Sequence, residues 1–257
     1  MRIHIFYNKG LIALLLALCT ISARAQLTTA DSARTVQMWS LGPGTFLPTA
    51  DMADRFGYFG AASLEYKKKL RDNNFIYGAS FDVFYGNRVK NTNEIFGGLT
   101  DGEGNFVGVN GEFAILQAGL DGGQVLAEFG WLWPGKYNPN SGLVFTQGFG
   151  AVQSKIGLRN QRNNFPQLQA PMLYGYDRLH RGFATKSSWR YLHMDNKERI
   201  NYSVGIVWNI AVTQSVRGFN IDTGLADTLL KLDSSIGVQF IWILPVYAKQ
   251  ESFYLLD

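Results

Sequence analysis

The chain has 257 residues, 46% of them apolar, one cysteine and a formal net charge of +4. Loss of the first 25 residues would take Arg2, Lys9 and Arg24, leaving 21 basic residues against 20 acidic ones and a net charge of +1. The same cut removes Cys19, so the basic pI is no argument for a nucleic-acid partner, and neither disulfides nor a thiolate metal site is expected.

Met1 to Ala25 reads as a secretory signal. Arg2 and Lys9 precede an apolar run from Leu11 to Ile21, and Ala23-Arg24-Ala25 forms a cleavage site before Gln26. A lipoprotein signal ending at Cys19 is the rival, but Leu18 stands where a small residue is required. Residues 26–35 are expected to be an N-terminal periplasmic segment, 36–248 a barrel, and 249–257 a C-terminal tail. No later run reaches ~18 apolar residues, so a membrane-crossing helix is excluded.

Alternation then dominates. Strands are predicted at 36–47, 58–69, 75–87, 113–133, 142–158, 183–193, 200–214 and 234–248. The seventh is the most regular. Ile200, Tyr202, Val204, Ile206, Trp208, Ile210 and Val212 share one face, and small or polar residues fill most of the other. That alternation outlasts the ~9–11 residues a tilted strand needs to cross a bilayer. The last strand repeats it with Ile236, Val238, Phe240 and Trp242 outward, and the third with Phe75, Tyr77, Phe81 and Tyr85. Pro43 interrupts the first strand, Lys186 and Arg190 crowd the sixth, and Asp121-Gly122-Gly123 is a candidate break in the fourth.

Short turns at 70–74, 134–141 and 194–199 alternate with longer links at 48–57, 88–112, 159–182 and 215–233. Tyr66, Tyr77, Trp131, Trp133, Trp189, Tyr191, Tyr202, Trp242 and Tyr247 gather near the short-turn ends or the C-terminus, with Phe46, Tyr58 and Tyr85 at the other rim. These features predict an all-β fold: an eight-stranded antiparallel transmembrane β-barrel with short periplasmic turns, long extracellular loops and an aromatic girdle, exported to the outer membrane. A soluble all-β protein with the same rings in its core is the alternative.

Several segments carry a resemblance. Asp51-Met-Ala-Asp-Arg-Phe-Gly57, Pro139-Asn-Ser-Gly142, Gly175-Tyr-Asp-Arg-Leu179, Phe219-Asn-Ile-Asp-Thr223 and Trp242-Ile-Leu-Pro245 together resemble small outer-membrane β-barrel proteins of Bacteroidota. The resemblance implies fold and location and carries no catalytic residue. The extension ending Tyr254-Leu-Leu-Asp257 departs from a strand-terminal aromatic.

By alternation, Glu65, Lys67, Asp82, Glu128, Lys186 and Arg190 are expected to point into the lumen as a charge network that plugs it. A narrow ion path and a catalytic site are the alternatives. Tyr176, Asp177, Arg178, His180 and Arg181 form the densest polar cluster outside the strands, read as a loop clamp or an anion-binding surface. No cofactor or metal is expected. The favoured function is non-enzymatic, with outer-membrane lipid around the barrel and an envelope or secretion-system protein, or a surface polymer, on the loops. The competing reading is a barrel enzyme acting on lipid or peptide with His180 and Asp177.

Overall fold

The computed structural model describes residues 33–101, 105–107, 111, 113–114, 116–160, 171–195 and 200–247. Eight long strands close on themselves: β1 (Val36–Thr49), β2 (Phe59–Lys69), β3 (Phe75–Gly86), β4 (Leu116–Pro134), β5 (Gly142–Asn160), β6 (His180–Met194), β7 (Asn201–Ser215) and β8 (Lys231–Tyr247). Each pairs antiparallel with its chain neighbours, and β1 pairs with β8 to seal the barrel. Closure leaves no sheet edge, so the strands satisfy one another's backbone groups without water.

The side-chain distribution is inverted relative to a soluble core. On β7, Ile206 and Trp208 are at least half exposed, whereas Ser203 and Asn209 are buried. Apolar outside and polar within is the signature of a transmembrane barrel. Near the short-turn end the exterior carries Trp39, Tyr77, Trp131, Trp133, Trp189, Tyr191 and Trp242, all about half exposed. Trp133 and Trp189 stack at 5.8 Å. Trp39 belongs to this girdle although the weak pattern of β1 hid it. Two aromatics expected in the rims face inward instead. Phe46 is buried and stacks on Phe59 at 5.5 Å inside the barrel. Tyr247 packs inward against the lower apolar cluster.

Asp121-Gly122-Gly123 does not split the fourth strand, which runs unbroken opposite Gln153 to Lys155 of β5. The Pro139–Gly142 segment explains itself as a fastening at the short-turn end. Asn140 Oδ1 accepts from Lys69 Nζ and from the Arg34 amide, each at 3.1 Å. Ser141 Oγ accepts from the Met194 amide at 2.8 Å, and Asn138 Nδ2 donates to the Met194 carbonyl at 2.7 Å. Gly142 sits at φ +155°, where a Cβ would lie 2.0 Å from the Trp133 carbonyl oxygen. The motif therefore ties together the ends of β2, β5 and β6.

The lumen is stacked in layers. A lower apolar cluster holds Met38, Ile76, Leu132, Val144, Leu192 and Ile243. An upper one holds Phe46, Met52, Phe56, Phe59, Phe84 and Leu120. The upper plug includes α1 (Ala50–Arg55), which buries Met52 and Arg55 after β1, and α2 (Thr92–Phe96), which buries Ile95 and Phe96. Between the two apolar layers lie the charges.

Candidate functional site

Alternation along β2, β3, β4 and β6 sends Glu65, Lys67, Asp82, Glu128, Lys186 and Arg190 to one level of the lumen, and all six are buried. Lys67 Nζ reaches Glu65 at 2.8 Å and Glu128 at 2.6 Å. Lys186 Nζ reaches Glu128 at 2.7 Å and Asp82 at 3.1 Å, while Arg190 Nη1 reaches Glu65 at 2.9 Å. Three acids thus meet three bases. Neutral groups complete the layer: Lys186 donates to Ser80 at 2.9 Å, and Gln124 Nε2 bridges Asp82 and Asn209 at 2.8 and 3.0 Å. Two cavities of about 30 Å³ flank it, one lined by Met52, Gln124 and Asn209, the other by Met38, Arg190 and Ser203. Each is roomy enough for a water or two and too small for a solute.

The second polar assembly is at the mouth, above the apolar exterior of β6, whose highest large residue is Phe183. His180 is fully buried. Its Nδ1 donates to the Arg178 carbonyl at 2.7 Å, and its Nε2 faces the Asp227 carboxylate at 3.5 Å. Arg55 from α1 approaches the ring at 3.1 Å and is held by an ion pair to Asp233. Burial, then the Arg55 guanidinium, pushes the His180 imidazole down to about 4. Lys231 pairs with Asp227 at 3.2 Å.

Beside this, the third and fourth long loops interlock. Both Asp177 oxygens are taken by Arg217, Oδ1 from Nε at 3.1 Å and Oδ2 from Nη2 at 2.6 Å. The Asp177 carboxylate is the main cause that raises the Arg217 guanidinium further above its usual value. Arg178 pairs with Asp222, and the Ile221 amide donates to the Gly175 carbonyl at 3.3 Å. Arg217 also lies over the Tyr174 ring at 4.1 Å. Tyr176 packs toward Phe96 at 6.1 Å.

This geometry corrects three expectations. The side chains of Asp177 and Arg178 grip the fourth loop through Arg217 and Asp222, whereas the Asp177 backbone is tied to the barrel, its carbonyl accepting from the Ile156 amide of β5 at 2.7 Å. His180 meets Arg55 and Asp227 rather than Asp177, so the two residues proposed for catalysis have separate partners. Arg181 leaves the cluster altogether, because it points outward from β6 and donates to Gln153 at 2.7 Å. Of the apolar residues of the third loop, Leu179 is buried and Met172 is 57% exposed. Arg55, Arg217, Asp222, Asp227 and Asp233 were not singled out from sequence. Arg55 and Asp222 do sit inside the segments Asp51–Gly57 and Phe219–Thr223, so three of the five segments that carried the resemblance, these two and Gly175–Leu179, meet at the mouth of the barrel.

No family model and no curated protein matches the chain. Among solved structures, the chain is similar to Ail, the attachment invasion locus protein of Yersinia pestis, at 9% identity and TM-score 0.43, over 83% of this chain and 99% of that one. It is also similar to the outer membrane protein OprG of Pseudomonas aeruginosa, at 10% identity and TM-score 0.36 over 86% and 100%. Neisserial surface protein A follows at 8% identity and TM-score 0.35 over 80% and 96%. At these values the fold rests on the chain's own strand pairing. Among the described residues no group of His, Cys, Asp or Glu could hold a metal ion, and no helix is long and apolar enough to cross a membrane.

Proposed function

We propose that this chain is an outer-membrane barrel, exported by a cleaved signal, that binds an envelope or secretion-system protein or a surface polymer through its extracellular loops, has no enzymatic role and does not conduct through its lumen. The observation that carries the reading is the interlocked loop pair. Two ion pairs, Asp177–Arg217 and Arg178–Asp222, hold the third loop against the fourth. Such clamping leaves Met172, Phe219 and Leu225 between 47% and 66% exposed. Ordering a loop costs conformational entropy. A loop fixed by buried carboxylates while showing apolar side chains to solvent fits a preorganised contact surface better than a solvated connection.

The closed lumen supports the same reading. Apolar layers cap the balanced charges from both sides, so solute passage would require breaking the plug.

The test is co-purification from native outer membrane in mild detergent. Wild-type protein should retain a partner that is lost when Phe219 and Leu225 are replaced by serine, with barrel insertion unchanged. Equal recovery of all partners by the variant would contradict the proposal.

A further inference from the structure

The outer halves of the strands do not present the same exterior. Outward positions there on β1, β2, β3, β7 and β8 hold no charged residue, and those of β4 hold only Asp121. Lys155 and Arg159 on β5 and Arg181 on β6 are the basic ones.

Register fixes their order along the strands. Val125, Ala151, Phe183 and Val212 lie side by side across β4, β5, β6 and β7, and form the last apolar row on this face. The next outward row is Gly123, Gln153, Arg181 and Gln214. Successive outward positions on a strand are ~7 Å apart. Arg181 therefore stands one step above the hydrocarbon-facing row and Lys155 two. The headgroup zone adds roughly 5–8 Å on each side of the ~30 Å apolar core. Long basic side chains on tilted strands reach into that zone.

Their partners leave charge uncompensated. Asp121 Oδ1 meets Arg159 at 3.4 Å, and its carboxylate fills the space a Cβ on Gly157 would take. Arg181 spends only Nε, on Gln153; its terminal amino groups make no bond to a described residue. Lys155 makes no ion pair with a described residue. One acid thus stands among three bases. Gln153 holds the guanidinium plane of Arg181 in place, with its two-pronged edge open to an acceptor. That fork matches the oxygens of a phosphate, which Lys155 can approach as a point charge.

We propose that the β5–β6 exterior holds the phosphate of an anionic lipid headgroup in the outer leaflet, with Arg181 and Lys155 as the primary contacts and Arg159 at the margin. The acyl chains would lie below, over the Phe149 and Phe183 rings, which stack at 6.2 Å. This site faces the bilayer and is separate from the loop surface, and it rests on the outer-membrane reading.

The test is native mass spectrometry of the full mature protein folded in detergent, titrated with diphosphoryl lipid A and with its dephosphorylated counterpart. Wild type should prefer the phosphorylated lipid at least ten-fold, and inorganic phosphate at the same concentration should not displace it. The K155Q/R181Q variant should lose that preference, whereas K68Q, at the opposite end of the exterior, should keep it. Equal retention of both lipids by wild type needs no variant and would overturn the proposal. So would displacement by free phosphate, or an unchanged preference in K155Q/R181Q. Recovery of the protein in a soluble periplasmic fraction would instead remove the membrane reading beneath it.

Discussion

The barrel holds two ionic assemblies of similar chemistry, one at mid-lumen and one at the mouth, built by different means. In the lumen, backbone register supplies every charge. Glu65 and Lys67 are two apart on β2, Lys186 and Arg190 four apart on β6, and each faces inward because its neighbours face out. At the mouth, Arg55 comes from a six-residue helix, Arg217 and Asp222 from a loop, and His180, Lys231 and Asp233 from the outer ends of strands. The first assembly is enclosed by apolar layers and serves the fold. The second borders solvent and fixes the loops.

The contrast sets what breaks when a charge is removed. The largest effect is expected at Glu128, which pairs with both Lys67 and Lys186. Glu128→Gln leaves two buried cations short of an anion and should cost about 3–5 kcal/mol, read by urea unfolding in lipid vesicles. The variant, like wild type, should show no steady conductance in planar bilayers. A reproducible ion-selective current in wild type that Glu128→Gln alters would mean that the layer is a path rather than a plug.

The exterior is the next most sensitive region. Arginine at Ile206 or Phe240 should cost about 2–4 kcal/mol, the range for a charge at the bilayer midplane. At Ser203 the same change acts on the lumen side, beside the Arg190 cavity. Equal and small losses at all three positions would show that inward and outward faces are misassigned.

At the mouth, Arg178→Ala should leave insertion and global stability nearly intact. It should speed proteolysis of the third loop and weaken partner recovery, because Asp222 loses its ion pair. Unchanged cleavage would assign the ordering to Asp177–Arg217 alone.

The smallest effect is one of pH. His180 sits at about 4 when folded against an ordinary 6.5, so between these values the unfolded form binds the extra proton. Folding of the mouth is therefore favoured above about 6.5 and progressively loses that contribution as pH falls toward 4. Hydrogen exchange at the Val216 amide, which donates to the Leu179 carbonyl at 2.8 Å, should quicken from pH 7 to pH 5 after correction for intrinsic rates. His180→Asn should flatten that dependence.

The same difference explains what could be read in advance. Strand ends fell within about three residues of their expected positions, because a period of two survives any local detail. Phe46 was misplaced since Gly42, Pro43 and Gly44 blur the alternation of β1. The inward set on β2, β3, β4 and β6 was legible for the reason the rest of those strands was. The partners of Asp177, Arg178 and His180 were not, since contacts between loops have no period and Arg217 lies 40 residues from Asp177. Arg181 was grouped with His180 by adjacency, although neighbours on a strand point to opposite sides.

An inside-out barrel with a sealed lumen and clamped loops should span the outer membrane. The most direct test is separation of inner membrane, outer membrane and periplasm from the native cell, followed by gel electrophoresis with and without boiling. The protein should be recovered in the outer membrane, and its migration should change on boiling. Recovery in the soluble periplasm, with migration unaffected by boiling, would contradict it.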